Sequence, residues 1–168
     1  KARKDVFYRF MENPAVDWRK ALWHISAQLW SRIHLRSDHN ADDVCLILDD
    51  TDHEKTGRTI EKIGRVHSHL AHKAVLGFKC LCMAVTDGVS QMFLDFAIVG
   101  EKGKNGNYGM SARELKRRRT VEHDSDVLRE REKEYDISKV ELAKQMIKRA
   151  IRRGIKFSYV LADSWFTN

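Results

Sequence analysis

The sequence predicts a mixed α/β domain, and three observations carry that prediction. Two apolar runs far apart in the chain, VCLIL at 44–48 and FSYVLA at 157–162, each lead directly into aspartate. Between them, the apolar segments 76–86 and 90–100 flank Asp87-Gly88, a dipeptide suited to a two-residue hairpin turn. An amphipathic helical pattern opens at Ser138 and stops at Gly154, just before the last apolar run.

From the N-terminus, residues 4–12 predict a short helix, which Pro14 separates from a longer one over 17–34. In the longer helix Leu22, Trp23, Ile25, Leu29, Trp30 and Ile33 fall close to one face, and Asp17 is placed to cap its start. Trp23 and Trp30 read as packing anchors rather than base-stacking platforms. The polar stretch RSDHNADD, 36–43, marks the boundary between an N-terminal helical segment, 1–38, and the main domain, 39–168.

Val44–Leu48 is too short for a helix and carries the β-branched Val44 and Ile47, so it predicts a central strand buried on both faces. Leu76–Thr86 and Ser90–Gly100 predict the two strands of the hairpin. The Gly/Asn-rich loop KGKNGNYG then opens a charged insertion at about 101–136, whose mixed signs predict a solvated, partly helical segment. Ser138 and Glu141 form a capping-box pair, with Val140, Ala143, Ile147, Ala150 and Ile151 at helical spacing behind them. Such a helix is long enough to carry the chain across the sheet and let the last strand lie parallel to the first.

The chain has 168 residues, 42% of them hydrophobic, enough for one ordinary core. Its formal net charge of +7 and pI near 9.4 raise the expectation of a polyanionic partner such as nucleic acid. Cys45, Cys80 and Cys82 sit in apolar runs without C-x-x-C spacing, which predicts reduced, buried thiols. No apolar run approaches the ~20 residues of a membrane span, and KARKDVFYRF lacks the apolar core of a signal peptide. These features predict a soluble, cytoplasmic protein with no membrane partner. The missing initial methionine and the end at DSWFTN predict a piece of a longer protein.

If the first and last strands are parallel neighbours, the acids of LILDD and VLAD emerge at one edge of the sheet, where open α/β sheets bind ligands. Hard divalent cations take carboxylate oxygen, and two acids supply half of a two-metal phosphoryl-transfer site. On spacing alone, the competing reading is that these aspartates merely begin loops or cap helices. Asp52, His53 and Glu54 are expected to open the loop after the strand. His67, His69 and His72 have a spacing that suits zinc, but no fourth ligand is near in sequence, so a solvated segment is expected there.

LDDTDHEKTG, a following hairpin, the capped helix SKVELAKQMIKRAIRRG and then YVLADSWF together resemble the DDE transposases of bacterial insertion sequences. The resemblance covers roughly residues 40–168, and the N-terminal helices are similar to the linker that precedes the family's catalytic domain. It implies a ribonuclease H-like mixed sheet (strand, hairpin of two strands, helix, strand), incomplete at the C-terminus because the third acid, a glutamate on a later helix, would lie past Asn168. That position of the third acid implies an inactive fragment.

The resemblance also implies site residues. The first catalytic acid is Asp49, in the pattern Asp49-Asp50-Thr51, with Asp50 as the alternative, and the second is Asp163. Asp49 and Asp163 are implied metal ligands for Mg²⁺ or Mn²⁺, two ions in the complete enzyme. The implied activity is metal-dependent cleavage and strand transfer on double-stranded DNA, at transposon ends and target, by a protein that dimerises when full-length. Lys55, Arg58, Lys62 and Arg65, with Lys116, Arg117, Arg118 and Arg119 in the insertion, are the candidate phosphate contacts. Two other readings stay open: a non-catalytic nucleic-acid-binding remnant, and a ribonuclease H-like nuclease that only hydrolyses.

Overall fold

Asp17 caps the second helix as its position predicts, its Oδ1 accepting the Lys20 amide hydrogen at 2.9 Å. The computed structural model describes residues 4–11, 13, 15–34, 43–56, 63–99 and 126–166. Helix α1, Lys4–Met11, buries none of its residues. Helix α2, Trp18–His34, turns Trp23, Ser26 and Trp30 into the core. The apolar face expected at 22–33 is narrower than predicted, since Ile25 is 61% and Leu29 43% exposed. At about 100° per residue, 23, 26 and 30 share a stripe from which 25 and 29 rotate away. Pro14, the stretch 36–42 and the boundary at 38/39 lie outside the described residues.

The first strand, β1, is Cys45–Glu54 and does not stop at the acids. It continues through Asp52, His53 and Glu54, which therefore lie in the sheet rather than opening a loop. The reason is backbone pairing: β3, Lys73–Thr86, runs antiparallel beside all of β1, from Cys45↔Thr86 to Glu54↔Gly77. Ladder bonds are satisfied whatever the side chains are, and alternate side chains on the open face are free to be polar.

The segment VHSHLAH, expected to be solvated, divides: Val66, His67 and Ser68 belong to a strand, β2, Gly64–Ser68, while His69 to His72 form the exposed turn that leads into β3. Strand β2 pairs antiparallel with β3, and the turn between them holds His72 at a φ of 50°. Val66 and Ser68 are buried while Arg65 is exposed, the period-two alternation of a half-covered sheet. Strand β4, Gln91–Val99, completes the hairpin with β3. In its turn Asp87 Oδ1 accepts the amide hydrogens of Val89 and Ser90 at 3.0 and 2.6 Å, and Gly88 takes a φ of 87°, which only glycine adopts without cost.

Two further helices precede the last strand. Helix α3 is Asp126–Tyr135, and α4 is Lys139–Arg152 with Ser138 as N-cap, its Oγ accepting the Glu141 amide hydrogen at 3.3 Å. Leu142, Ala143, Met146 and Ala150 form the buried face of α4, whereas Ile151 is 57% exposed. Burying Leu142 and Met146 contributes roughly 1.5–3 kcal/mol each. Strand β5, Tyr159–Ala162, then pairs parallel with β1. The five-stranded sheet has the order β2-β3-β1-β5, with β4 also paired to β3.

The core forms on one face of the sheet, where Trp23 and Trp30 of α2 and Leu142, Met146 and Ala150 of α4 meet Leu46, Leu48, Leu81, Met83 and Val85. A bulge at Met83/Ala84 shifts the β3–β4 register and sends both Leu94 and Asp95 to this side. Asp95, 1% exposed, is there held by Arg19 of α2 at 2.9 Å and Arg149 of α4 at 2.7 Å. Arg19 also binds Glu134 of α3 at 2.6 Å. One buried cluster of charges thus ties α2, α3, α4 and β4 together.

Candidate active site

Alternation along β1 separates its two adjacent acids. Leu46 and Leu48 point into the core, and Asp50 follows them to the helix-covered face, where its side chain is only 11% exposed. Lys139 Nζ approaches Asp50 Oδ1 to 3.2 Å and Lys79 Nζ approaches Oδ2 to 3.6 Å. Asp49 lies on the opposite, open face with Ile47 and Thr51. It is exposed, and its Oδ1 accepts the Asp50 amide hydrogen at 2.8 Å. With Cys82, Gln91 and Phe93 these residues line an open depression of about 230 Å³.

Strand β5 brings the second acid to the same region. The parallel register pairs Cys45 with Tyr159 and ends at Leu48↔Ala162; the next residue on each chain is an aspartate, Asp49 and Asp163. Asp163 is exposed and opens a 3₁₀ turn, Ser164–Phe166, with its carbonyl accepting the Phe166 amide hydrogen at 3.0 Å. Ser164 Oγ donates to Asp163 Oδ1 at 3.0 Å. Lys139 Nζ, already bound to Asp50, lies 4.7 Å from the centre of the Phe166 ring. A single ammonium therefore links the acid end of β1 to the turn after β5.

Two of the thiols are less enclosed than expected. Cys45 is buried, but Cys80 and Cys82 are half-buried, with their sulfurs 3.8 Å apart. The hydrogen bond from Cys80 pulls the Cys82 thiol down to about 7, against the opposing effects of burial and of the Asp49 charge. The same bond, together with burial, pushes Cys80 well above the ordinary thiol range. Cys82 is the register partner of Asp49 across β1 and β3.

This arrangement of acids on a mixed sheet accords with one further finding: the family model described as DDE superfamily endonuclease matches residues 2–168. The chain belongs to the DDE superfamily endonucleases. No curated protein and no solved structure matches it. Its five-stranded mixed sheet, with helices packed against it, is the ribonuclease H-like architecture of a DDE domain. Membership brings nuclease or transposase-type chemistry with a DNA substrate.

Around the acids of this DDE endonuclease, the expected basic residues are only partly described. Lys55 and Arg65 are exposed, at the end of β1 and on β2. Arg58, Lys62, Lys116, Arg117, Arg118 and Arg119 lie outside the described residues. The His67 and His69 rings meet edge-on with centroids 5.0 Å apart. Among the described residues no group of three or more His, Cys, Asp or Glu side chains stands ready to hold a metal ion. Nor is any described helix long and apolar enough to cross a membrane.

Sequence reasoning missed Lys79 and Lys139, the partners of Asp50, and Cys82, the neighbour of Asp49. Strict alternation through KCLCM, 79–83, signals that Cys80 and Cys82 share one face of β3 and that Lys79 takes the other. Nothing in the sequence signals that Lys139, 89 residues from Asp50, meets it.

Proposed function

We propose that this DDE endonuclease acts as a transposase, cleaving double-stranded DNA at transposon ends and joining it to a target, with Asp49 and Asp163 as its first two metal-binding acids. The observation that carries this reading is the parallel register of β1 and β5, which runs to Leu48↔Ala162. One step further on adjacent strands, roughly 4.8 Å apart, stand the two aspartates.

Asp49 is preferred to Asp50 because of where each carboxylate lies. Asp50 is enclosed and already neutralised by Lys79 and Lys139. Asp49 is solvent-exposed, and its oxygens meet one backbone amide among the described contacts. Exposed carboxylate oxygens of Asp49 and Asp163 fit the hard, partly hydrated Mg²⁺ or Mn²⁺ ions of two-metal phosphoryl transfer. The chemistry supplied by such bound ions is activation of water or a DNA 3′-hydroxyl for in-line attack.

The chain's own residues have two roles in this reading. Asp49 and Asp163 hold charge at the point where the scissile phosphate must lie. Lys55 and Arg65, with Arg58, Lys62, Lys116, Arg117, Arg118 and Arg119, neutralise backbone phosphates and give an affinity that falls as salt rises. Lys55 is six residues along the chain from Asp49, roughly 20 Å if extended, which suits backbone contacts away from the cleaved bond. Pairing of two DNA ends is the reason to expect a homodimer.

Mn²⁺ titration followed by aspartate resonance broadening tests the site. Saturable binding is expected for the unaltered chain, with loss of at least tenfold in affinity in Asp49→Asn and in Asp163→Asn. Saturable binding that survives both substitutions overturns the assignment. DNA binding with no saturable Mn²⁺ site favours a non-catalytic binding module instead. Strand-joining assays on the complete open reading frame separate a transposase from a nuclease that only hydrolyses.

A further inference from the structure

Beyond the acids, the open face of the sheet carries a feature that the proposed reaction does not use. We propose that Cys80 and Cys82 form a two-thiolate site for a soft, thiophilic divalent cation of the zinc and cadmium class. The sulfurs are neighbours on one face of β3, 3.8 Å apart. With metal–sulfur bonds of about 2.3 Å and a tetrahedral angle between them, the two sulfurs of one ion are spaced about 3.8 Å apart. The pair thus already has the separation that such an ion requires, so binding needs little rearrangement.

Their surroundings agree with this role. Both residues are half-buried rather than sealed in the core, and Cys82 opens onto the depression beside Asp49. On β1 their register partners are Thr51 and Asp49, and Cys82 borders an open depression, so water completes the coordination of an ion that the two sulfurs hold. Thiolates select soft ions, while carboxylates select magnesium and manganese, so the two sites sort cations by class. Each ion bound displaces to solvent the protons that the two sulfurs still carry, and the resulting dithiolate neutralises the dication.

Titration of the reduced chain with Cd²⁺, followed by sulfur-to-metal charge-transfer absorbance in the ultraviolet, tests the proposal. The expected result is saturation at one ion per chain with proton release that falls as pH rises and the thiols lose their protons beforehand. Cys80→Ser and Cys82→Ser are each expected to weaken binding at least tenfold, and Cys45→Ser to leave it unchanged. A parallel measurement needs no variant: Cd²⁺ is expected to protect Cys80 and Cys82, but not Cys45, from alkylation of the folded chain mapped by mass spectrometry. Absence of the charge-transfer band, or an unchanged band in folded Cys80→Ser and Cys82→Ser variants, overturns the site. So does failure of Cd²⁺ to protect the pair. None of these outcomes depends on the nuclease reading, which Mn²⁺ binding at Asp49 and Asp163 tests separately.

Discussion

Lys139 Nζ stands 3.2 Å from Asp50 Oδ1, at the first residue of α4. A cation is unfavourable at a helix N-terminus, and the carboxylate of Asp50 offsets that cost while Lys79 closes its other side. Asp50 is thereby enclosed by two ammonium groups, and its neighbour Asp49 remains open to solvent.

The two adjacent aspartates should respond oppositely to substitution. Asp50→Asn removes the enclosed carboxylate that Lys79 and Lys139 share and should cost roughly 3 kcal/mol in urea unfolding. Asp49→Asn, at an exposed position, should stay within about 0.5 kcal/mol while losing Mn²⁺ affinity. Equal destabilisation by both would contradict the assignment of their faces.

Removal of Asp95 should be among the most damaging single changes. Its carboxylate, 1% exposed, serves Arg19 and Arg149 together, and Asp95→Ala takes that acceptor from Arg149 and leaves Arg19 with Glu134 and the Phe96 carbonyl. A loss of about 3–5 kcal/mol is expected from the urea midpoint, and additive behaviour with Arg19→Met would show that the cluster is not coupled.

Thiol reactivity should reveal the Cys80–Cys82 hydrogen bond. A Cys82 thiol at about 7 is lower than the ordinary value near 8.5, so its thiolate fraction rises as pH climbs through neutrality. Iodoacetamide modification of Cys82 should accelerate through pH 7 and then level off. In Cys80→Ala, which removes the donor, the midpoint should move upward; an unchanged midpoint would show that the bond has no influence.

At Gly77 the backbone of β1 lies close against β3. A Cβ there would collide with the His53 carbonyl oxygen, a contact that flexible side chains cannot relieve. Gly77→Ala should lower stability by roughly 1–3 kcal/mol by thermal unfolding, and a neutral result would mean that the far end of β1 separates from β3 at little cost.

Much of this architecture is legible in local pattern. The Asp87-Gly88 turn, the Ser138 cap and the short apolar run ending at Ala162 each declare their element, because turns, caps and short strands depend on residues close in sequence. What escaped that reading depends on pairing. Residues 52–54 of β1 look like a loop until β3 lies beside them, and the start of VHSHLAH, 66–68, looks solvated until β3 supplies its ladder. The buried face of α2 differs from the one predicted because the sheet, not the helix, chooses which stripe is covered.

By itself, the sequence determined that two aspartates follow two apolar strands, that a capped helix separates them, and that the chain is basic. Only the tertiary structure decided that these strands are parallel neighbours, that Asp49 faces solvent while Asp50 is clasped by Lys79 and Lys139, and that Cys82 lies opposite Asp49. The physical reason is range: alternation and capping act over a few residues, whereas register, bulges and ion pairing join segments up to 115 residues apart, as between Arg19 and Glu134, which no local pattern encodes.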